Sequence, residues 1–313
     1  MLSYIGRRIL ATIPVMGVVA VVIFALLHLA PGDPAAVIAG DHATVEEVAK
    51  VRAQLGLDRP LLAQFGSWIG AVLQGDLGVS IYNRQPVAGM ILQRVEPTLA
   101  LALCTLVVAL GAALPLGIIA AWKAGTWIDR AIMGFAVLGF SFPVFVIGYG
   151  LMYVLALRLE LLPVQGYVSI REGLGAFLPH MIMPALALGW ALTALFARMT
   201  RTSMLEVLSQ DYIRTAHAKG LSERRVLLGH ALKNASVPIV TTVGIGVALL
   251  IGGVVVTETV FAIPGIGRLT VDAILRRDYP VIQGVVLVFS AVYVLINLAI
   301  DLSYTVLDPR IRY

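Results

Sequence analysis

The residues of this chain that have reactive side chains are few, and their spacing builds no catalytic set. The five histidines, His28, His42, His180, His217 and His230, are scattered and none is followed by glutamate. The single cysteine, Cys104, has no histidine or second cysteine at the separation a metal requires. A phosphate-cradling loop places a glycine directly before its lysine, whereas Lys50, Lys123, Lys219 and Lys233 follow Ala, Trp, Ala and Leu, so ATP is not bound here in that way. A G-x-S-x-G nucleophile turn is missing, and no pair of carboxylates falls inside an apolar run, as proton-coupled carriers often require. Asp301, the nearest candidate, closes the last apolar run, where a hydrated interfacial carboxylate is expected. What does cluster is charge of another kind. Residues 210–242 carry Asp211, Arg214, Lys219, Arg224, Arg225 and Lys233 around a broken apolar face of Ile213, Ala216 and Leu221. Ala216 and Ala218 keep this segment slim, and Gly220 supplies the left-handed turn that ends a short helix. Its chemistry is recognition: such a helix fits a groove on another protein, or lies on lipid headgroups through its basic side chains.

The elements that must position this segment are apolar. The chain has 313 residues, 59% of them apolar and 13% charged, with a mean hydropathy of +0.92, more apolar surface than a soluble domain hides. Uncharged runs long enough to cross about 30 Å of hydrocarbon occupy residues 9–29, 98–122, 131–157, 181–197, 237–256 and 281–300, which predicts an all-α, polytopic membrane protein of about six spans. The fourth run is the shortest and contains Pro184, which neighbouring helices can accommodate. The first follows Arg7 and Arg8 as a secretory signal would. Its apolar part exceeds the usual signal core of roughly 7–15 residues, however, and Leu29-Ala30-Pro31-Gly32 is a poor cleavage site, so a retained span is expected.

Orientation follows from the basic residues. With Met1 inside, 13 of the 23 Lys and Arg but only 6 of the 18 Asp and Glu fall on the cytoplasmic side. The sequence therefore predicts two cytoplasmic termini, and the net charge of +5 reads as topology, not as nucleic-acid binding. Cys104, in the second run, has no partner for a disulfide within the chain and reads as a structural thiol.

The expected organisation is a cytoplasmic start and first span (1–30), an extracytoplasmic helical insert (31–93), the main transmembrane domain (94–306) and a cytoplasmic tail (307–313). In the insert, Thr44-Val45-Glu46-Glu47 has capping-box spacing and predicts a helix over 45–55 ended by Gly56. Leu61, Phe65, Ile69 and Leu73 predict a second amphipathic helix that stops near Gly75. The insert reads either as a cap on the bundle or as a docking surface for a soluble partner. Within the spans, Ser141, Thr241, Thr242, Thr257 and Glu258 are candidates for a polar substrate path, although hydroxyls in spans also bond their own helix backbone. Pro264, Gly265 and Gly267 suit residues 261–268 to a tight structure over the pathway mouth or to a rigid connector.

The run Asp211-Tyr212-Ile213-Arg214-Thr215-Ala216-His217-Ala218-Lys219-Gly220-Leu221, followed by Leu232-Lys233-Asn234-Ala235 and Val237-Pro238, resembles the coupling loop of ABC importer permeases of the dipeptide, oligopeptide, glutathione and nickel branch. Other matching stretches are Leu29-Ala30-Pro31-Gly32-Asp33-Pro34, Gly75-Asp76-Leu77-Gly78, Phe261-Ala262-Ile263-Pro264-Gly265-Ile266-Gly267-Arg268, Asp278-Tyr279-Pro280-Val281 and the ending Leu307-Asp308-Pro309-Arg310-Ile311-Arg312-Tyr313. The general family begins this loop Glu-Ala-Ala; here Arg214, Thr215 and Ala216 take those places and Gly220 keeps the spacing, so docking is implied but no glutamate contact. The resemblance implies a type I ABC importer fold in the bacterial plasma membrane and a non-catalytic permease subunit. It further implies partners: a second homologous permease, two ATP-binding subunits that carry ATP and Mg, an extracytoplasmic binding protein, and lipid. It implies that Asp211, Tyr212, Arg214, Thr215, Ala216, Ala218, Lys219, Gly220 and Leu221 contact an ATPase. The expected cargo is a dipeptide, an oligopeptide or glutathione, with a nickel chelate as the alternative within the branch. A stand-alone secondary transporter would show intramembrane charges or inverted repeats with broken helices, and a membrane enzyme a nucleophile or metal set.

Overall fold

The computed structural model describes residues 2–29, 34–39, 43–54 and 56–307. Regular structure in them is helical, apart from an isolated antiparallel bridge between Val79 and Pro86. The chain forms two compact units, Met1–Arg94 with Leu269–Val294, and Val95–Arg268 with Leu295–Tyr313.

The first unit begins with α1 (Leu2–Leu29), the short α2 (Pro34–Ala39), α3 (Val45–Gln54) and α4 (Leu61–Leu73). α3 starts as its sequence dictates. The Thr44 amide donates to Glu47 Oε2 at 2.8 Å and the Glu47 amide donates back to Thr44 Oγ1 at 3.3 Å, a reciprocal capping box. It ends at Gly56 (φ 65°), where the Gly56 amide reaches Ala53 O and the Leu57 amide reaches Arg52 O, the paired bonds of a left-handed glycine stop. Gly75 (φ 84°) stops α4 in the same way, through amides of Gly75 and Asp76 on Val72 O and Ala71 O. The buried stripe of α4 differs from the expected one. Phe65, Trp68, Ile69 and Val72 pack with Val19, Ala20 and Ile23 of α1, while Leu61 and Leu73 are 58% and 81% exposed. A strict four-residue repeat drifts around a helix of 3.6 residues per turn, so its two ends leave the face that its middle buries.

The second unit holds most of α5 (Val87–Trp122), then α6 (Trp127–Ser141), α7 (Val144–Leu151) with a π turn over Met152–Arg158, and a 3-10 turn, Ile170–Glu172. It continues with α8 (Leu174–Leu208), α9 (Asp211–Ala218), α10 (Glu223–Arg225), a second π turn over Val226–Ala231, and α11 (Leu232–Val260). The chain leaves this unit through α12 (Ile266–Leu275), and α13 (Tyr279–Leu307) returns to it. Val87–Trp122, Leu174–Leu208, Glu223–Val260 and Tyr279–Ile300 are long and apolar enough to cross a membrane.

The third expected span is not one straight helix. α6 and the segment Val144–Arg158 meet at 103°, giving a broken span or a re-entrant turn. Pro143 has no N–H to continue a helix and pushes Phe142 into extended backbone, φ −106° and ψ 128°. The first expected span is the 28-residue α1, whose apolar stretch within the described side chains is Leu10–Ala25. The fourth, with its weak boundaries, proves to be the hub. Of the most apolar window of α8, 67% is buried, against 22% in α5 and 33% in α11, because the core forms around Met181, Met183, Leu188, Leu192 and Phe196. Helices approach α8 closely where glycine permits. A Cβ on Gly117 of α5 would lie 2.5 Å from Thr200 Cβ, and one on Gly246 of α11 would overlap the Phe196 ring.

Candidate functional site

The basic segment folds as a small helix held against the ends of three long ones. α8 stops at Leu208, residues 209 and 210 turn the chain, and α9 runs from Asp211 to Ala218. The Gly220 amide bonds His217 O at 2.9 Å and the Leu221 amide bonds Ala216 O at 3.3 Å, with Gly220 at φ 76°, the stop expected of it. Ile213 and Ala216 face inward, 2% and 7% exposed. They pack in one cluster with Ala121 at the end of α5, Met204 of α8, Val226, Leu227 and Ala231 of the π turn, and Ala235 and Ile239 of α11. Leu221 joins the edge of this cluster, half-buried.

The opposite face is open. Asp211, Tyr212, Arg214, Thr215, Ala218, Lys219 and Gly220 are exposed. Their internal contacts are light: Arg214 pairs with Asp211 at 3.3 Å across nearly bare side chains, a contact worth little in water. Tyr212 is fixed more firmly, its hydroxyl accepting from Asn234 Nδ2 at 2.8 Å. A Cβ added at Gly220 would meet nothing within 4 Å. The grouped site residues therefore divide, eight toward solvent or the edge and Ala216 into the core.

Sequence reasoning missed the ion pair that ties α8 to α6. Arg201 of α8 grips Asp129 at the start of α6 with both arms of its fork, Nε to Oδ1 at 2.6 Å and Nη2 to Oδ2 at 2.7 Å, while the Gly125 amide donates to Asp129 Oδ2 at 3.0 Å. The only advance signal is an acid opening one apolar run and a base closing the next.

The candidate path residues are each engaged. Ser141 bonds Val137 O at 3.1 Å, Thr241 bonds Val237 O at 2.9 Å, Thr242 bonds Pro238 O at 2.9 Å and Thr257 bonds Gly253 O at 2.9 Å, all carbonyls four residues back. Thr242 and Thr257 are buried, Thr241 is half-buried and Ser141 is exposed. Glu258 is fully buried and accepts from Thr98 Oγ1 at 2.6 Å and from the Arg268 amide at 2.9 Å. In the loop before α8, Tyr167 donates to Glu96 Oε1 at 3.1 Å and Ser169 donates to the same oxygen. Burial first, then the Glu96 carboxylate, pushes the Tyr167 hydroxyl up to about 12, so it stays a donor near neutrality. Cys104 packs at the edge of the main core. Among the described residues no three His, Cys, Asp or Glu gather as metal ligands.

Residues 113–313 match the family described as binding-protein-dependent transport system inner membrane component, and residues 1–102 match the N-terminal domain described for such components. The chain belongs to this family. A probable peptide ABC transporter permease protein of Sinorhizobium fredii, y4tP, is 53% identical over 310 residues, 99% of each chain. The glutathione transport system permease protein GsiC of Salmonella typhi is 46% identical over 313 residues, all of each chain. Among solved structures, an inward-facing MetNI methionine ABC transporter chain superposes with a TM-score of 0.59 at 17% identity, covering 70% of this chain and 96% of that one. Its likeness extends to the fold, so the all-α type I importer architecture expected from the sequence is the observed one.

Proposed function

We propose that this chain is one permease subunit of an ATP-driven ABC importer that brings peptides, glutathione among them, across the bacterial plasma membrane. The observation that carries this reading is 46–53% identity, over essentially the whole length, with permeases named for peptide and glutathione transport. In this reading the complex contains a second homologous permease, two ATP-binding subunits that hold ATP and Mg, and an extracytoplasmic binding protein. The Lys and Arg asymmetry supports cytoplasmic termini and a cytoplasmic α9.

The permease makes and breaks no bonds. Its part is differential: ATP-bound partners favour one of two bundle arrangements, and a partner shifts that equilibrium only by unequal affinity for the two states. The exposed residues of α9, with Gly220 and Leu221, seat in a groove on one ATPase. The inner face of α9, through Ile213 and Ala216, passes displacement to α5, α8 and α11, which share its apolar cluster.

The test is ATP-dependent uptake by liposomes that carry the chain with its neighbouring-gene permease, ATPases and binding protein, offered a labelled dipeptide mixture, glutathione or a nickel chelate. Uptake of peptide or glutathione that requires every component is the expected result. Uptake of the nickel chelate alone moves the cargo to the other member of the branch, and uptake without ATP overturns the importer reading. Gly220→Asp probes the end of α9: it adds a charged side chain at φ 76°, a region that aspartate tolerates better than most residues, in space that is empty within 4 Å among the described residues. It is expected to uncouple hydrolysis from uptake, or to prevent ATPase association, while membrane insertion is intact.

A further inference from the structure

The last turn of α11 contains a carboxylate with no exposed surface, Glu258. Burying such a group beside an apolar span is costly unless its oxygens are occupied, so its partners show what it is for. They are the first amides of α12. The Arg268 amide donates to Oε2 at 2.9 Å, and Gly267 lies so close that a Cβ on it would be 3.0 Å from the same oxygen. The Ile266 amide donates at 2.8 Å to Thr98 Oγ1, whose own hydroxyl donates to Glu258 Oε1 at 2.6 Å. A helix start leaves its first amides without partners inside the helix, and an adjacent residue commonly caps them. Here the cap comes from two distant side chains, Thr98 on α5 and Glu258 on α11.

The surrounding backbone is shaped to this contact. A Cβ on Gly265 would overlap the Glu258 carboxylate, and one on Gly267 would lie 2.6 Å from Val255 Cα. The turn before it is fixed at both sides. The Ile263 amide bonds Glu258 O at 2.9 Å, Ala262 adopts φ 53°, and Phe261 O accepts from the Gly166 amide at 3.0 Å. Residues 261–268 are therefore tied to two spans by side-chain bonds, and the connection does not rest on chain continuity alone.

We infer that Glu258 and Thr98 are positioning residues of the transport cycle: a latch that makes the first turn of α12 move with α5 and α11 when the importer switches. The inference rests on the importer reading for its role in transport, and on the structure alone for the latch. A plain connector would let α12 lag or fray during the switch. A latched one converts displacement of α5 and α11 into displacement of that first turn.

The experiment uses the complete transporter in nanodiscs and liposomes, with Thr98→Val, Thr98→Ser and Glu258→Gln. Valine keeps the shape of Thr98 but removes both its donor and its acceptor, serine keeps both, and glutamine puts donors on the side-chain group facing backbone donors. Hydrogen exchange is expected to quicken by about tenfold at the Ile266 amide in Thr98→Val, which removes its hydroxyl acceptor, and by about tenfold to a hundredfold at the Arg268 amide in Glu258→Gln, which removes a carboxylate acceptor. Uptake per ATP hydrolysed is expected to fall about tenfold in both, with complex yield unchanged, and Thr98→Ser is expected to restore both readouts. Wild-type uptake per ATP in Thr98→Val overturns the latch, as does loss of assembled complex in step with uptake, which would make the contact a folding cap only. If the wild-type complex imports neither peptide nor glutathione, the functional reading fails, and the exchange data still decide whether the amides of α12 depend on Thr98.

Discussion

Asp129→Ala is the perturbation whose cost can be worked most directly from the structure. The Asp129 side chain is 5% exposed and that of Arg201 26% exposed. Removing the carboxylate strands a guanidinium that is three-quarters withdrawn from water, and it takes the acceptor from the Gly125 amide. Breaking a buried pair from one side costs about 3–5 kcal/mol. The exposed quarter of Arg201 lets water recover part of that, so about 3 kcal/mol is the expected loss, on the order of a hundredfold in the folded-to-unfolded ratio. Arg201→Met alone should cost somewhat less, since it leaves Asp129 buried without its guanidinium but with the Gly125 amide still donating to it. The double change Asp129→Leu with Arg201→Met removes both charges and keeps volume, and such replacements are about neutral. The assay is equilibrium unfolding of the purified permease in mixed detergent micelles, run on wild type, both single variants and the double variant. Strong non-additivity is the result expected, with the double variant close to wild type. Losses that simply add, or single losses below about 0.5 kcal/mol, would refute the argument that desolvation of an unpaired charge dominates at this contact.

Four further outcomes follow from other contacts. Gly246→Ala forces a Cβ into the Phe196 ring and should destabilise by about 1–3 kcal/mol in the same assay, with Phe196→Leu relieving much of the loss. Thr242→Val removes a hydroxyl already bonded to Pro238 O, so uptake should keep its wild-type KM; a cargo-dependent change in KM would place that hydroxyl in the path. Glu47 is held below the usual carboxylate value by the Thr44 amide first and the Thr44 hydroxyl second. A depressed folded value means that this cap contributes above the ordinary carboxylate range and is lost as pH falls through the lower folded value, so protection of the Thr44 amide, measured against the unfolded exchange rate at the same pH, should be lost only in acid. Ile213→Ala empties the seat of α9 and should speed exchange across Arg214–Ala218, whereas Arg214→Ala, on the open face, should leave that exchange unchanged.

What the sequence made legible was local. The capping box at Thr44 and the stops at Gly56, Gly75 and Gly220 each depend on side chains and φ preferences within five residues, so types and spacing suffice. The same stop without glycine was invisible. Ala262 and Arg277 adopt φ 53° and 56° at the ends of α11 and α12, where the packing of the turn overrides the cost of a side chain in that region. The bend at Pro143 had a sequence signal, but hydropathy measures the composition of a run and not its direction, and an apolar run of 27 residues read as one span. The two π turns, Met152–Arg158 and Val226–Ala231, carry no mark in residue type. The contacts that organise the second unit, Arg201 with Asp129 and Thr98 with Glu258, join residues 72 and 160 positions apart, which no local pattern reports. Residue type and position make Glu258 a candidate for the pathway, but they do not report its bonds to Thr98 and to the Arg268 amide.

The proposed coupling role also depends on a physical condition that α9 meets only with help. Eight residues make a rod of about 12 Å, and an isolated helix of that length does not persist in water. Such a segment transmits displacement only if its fold is imposed from outside. On one side Ile213 and Ala216 impose it by burial among residues of α5, α8 and α11, and at the end Gly220 closes the last turn. Among the described residues the other side is held more lightly: its residues are exposed, the Asp211–Arg214 pair is nearly bare, and Tyr212 is tied to Asn234 by one hydrogen bond. A docked partner would complete that side, and because Ile213 and Ala216 share one apolar cluster with three long helices, displacing the outer face without displacing the inner one would open a void in the cluster. Close-packed interiors resist such voids, so the less costly response is for the ends of α5, α8 and α11 to follow the helix.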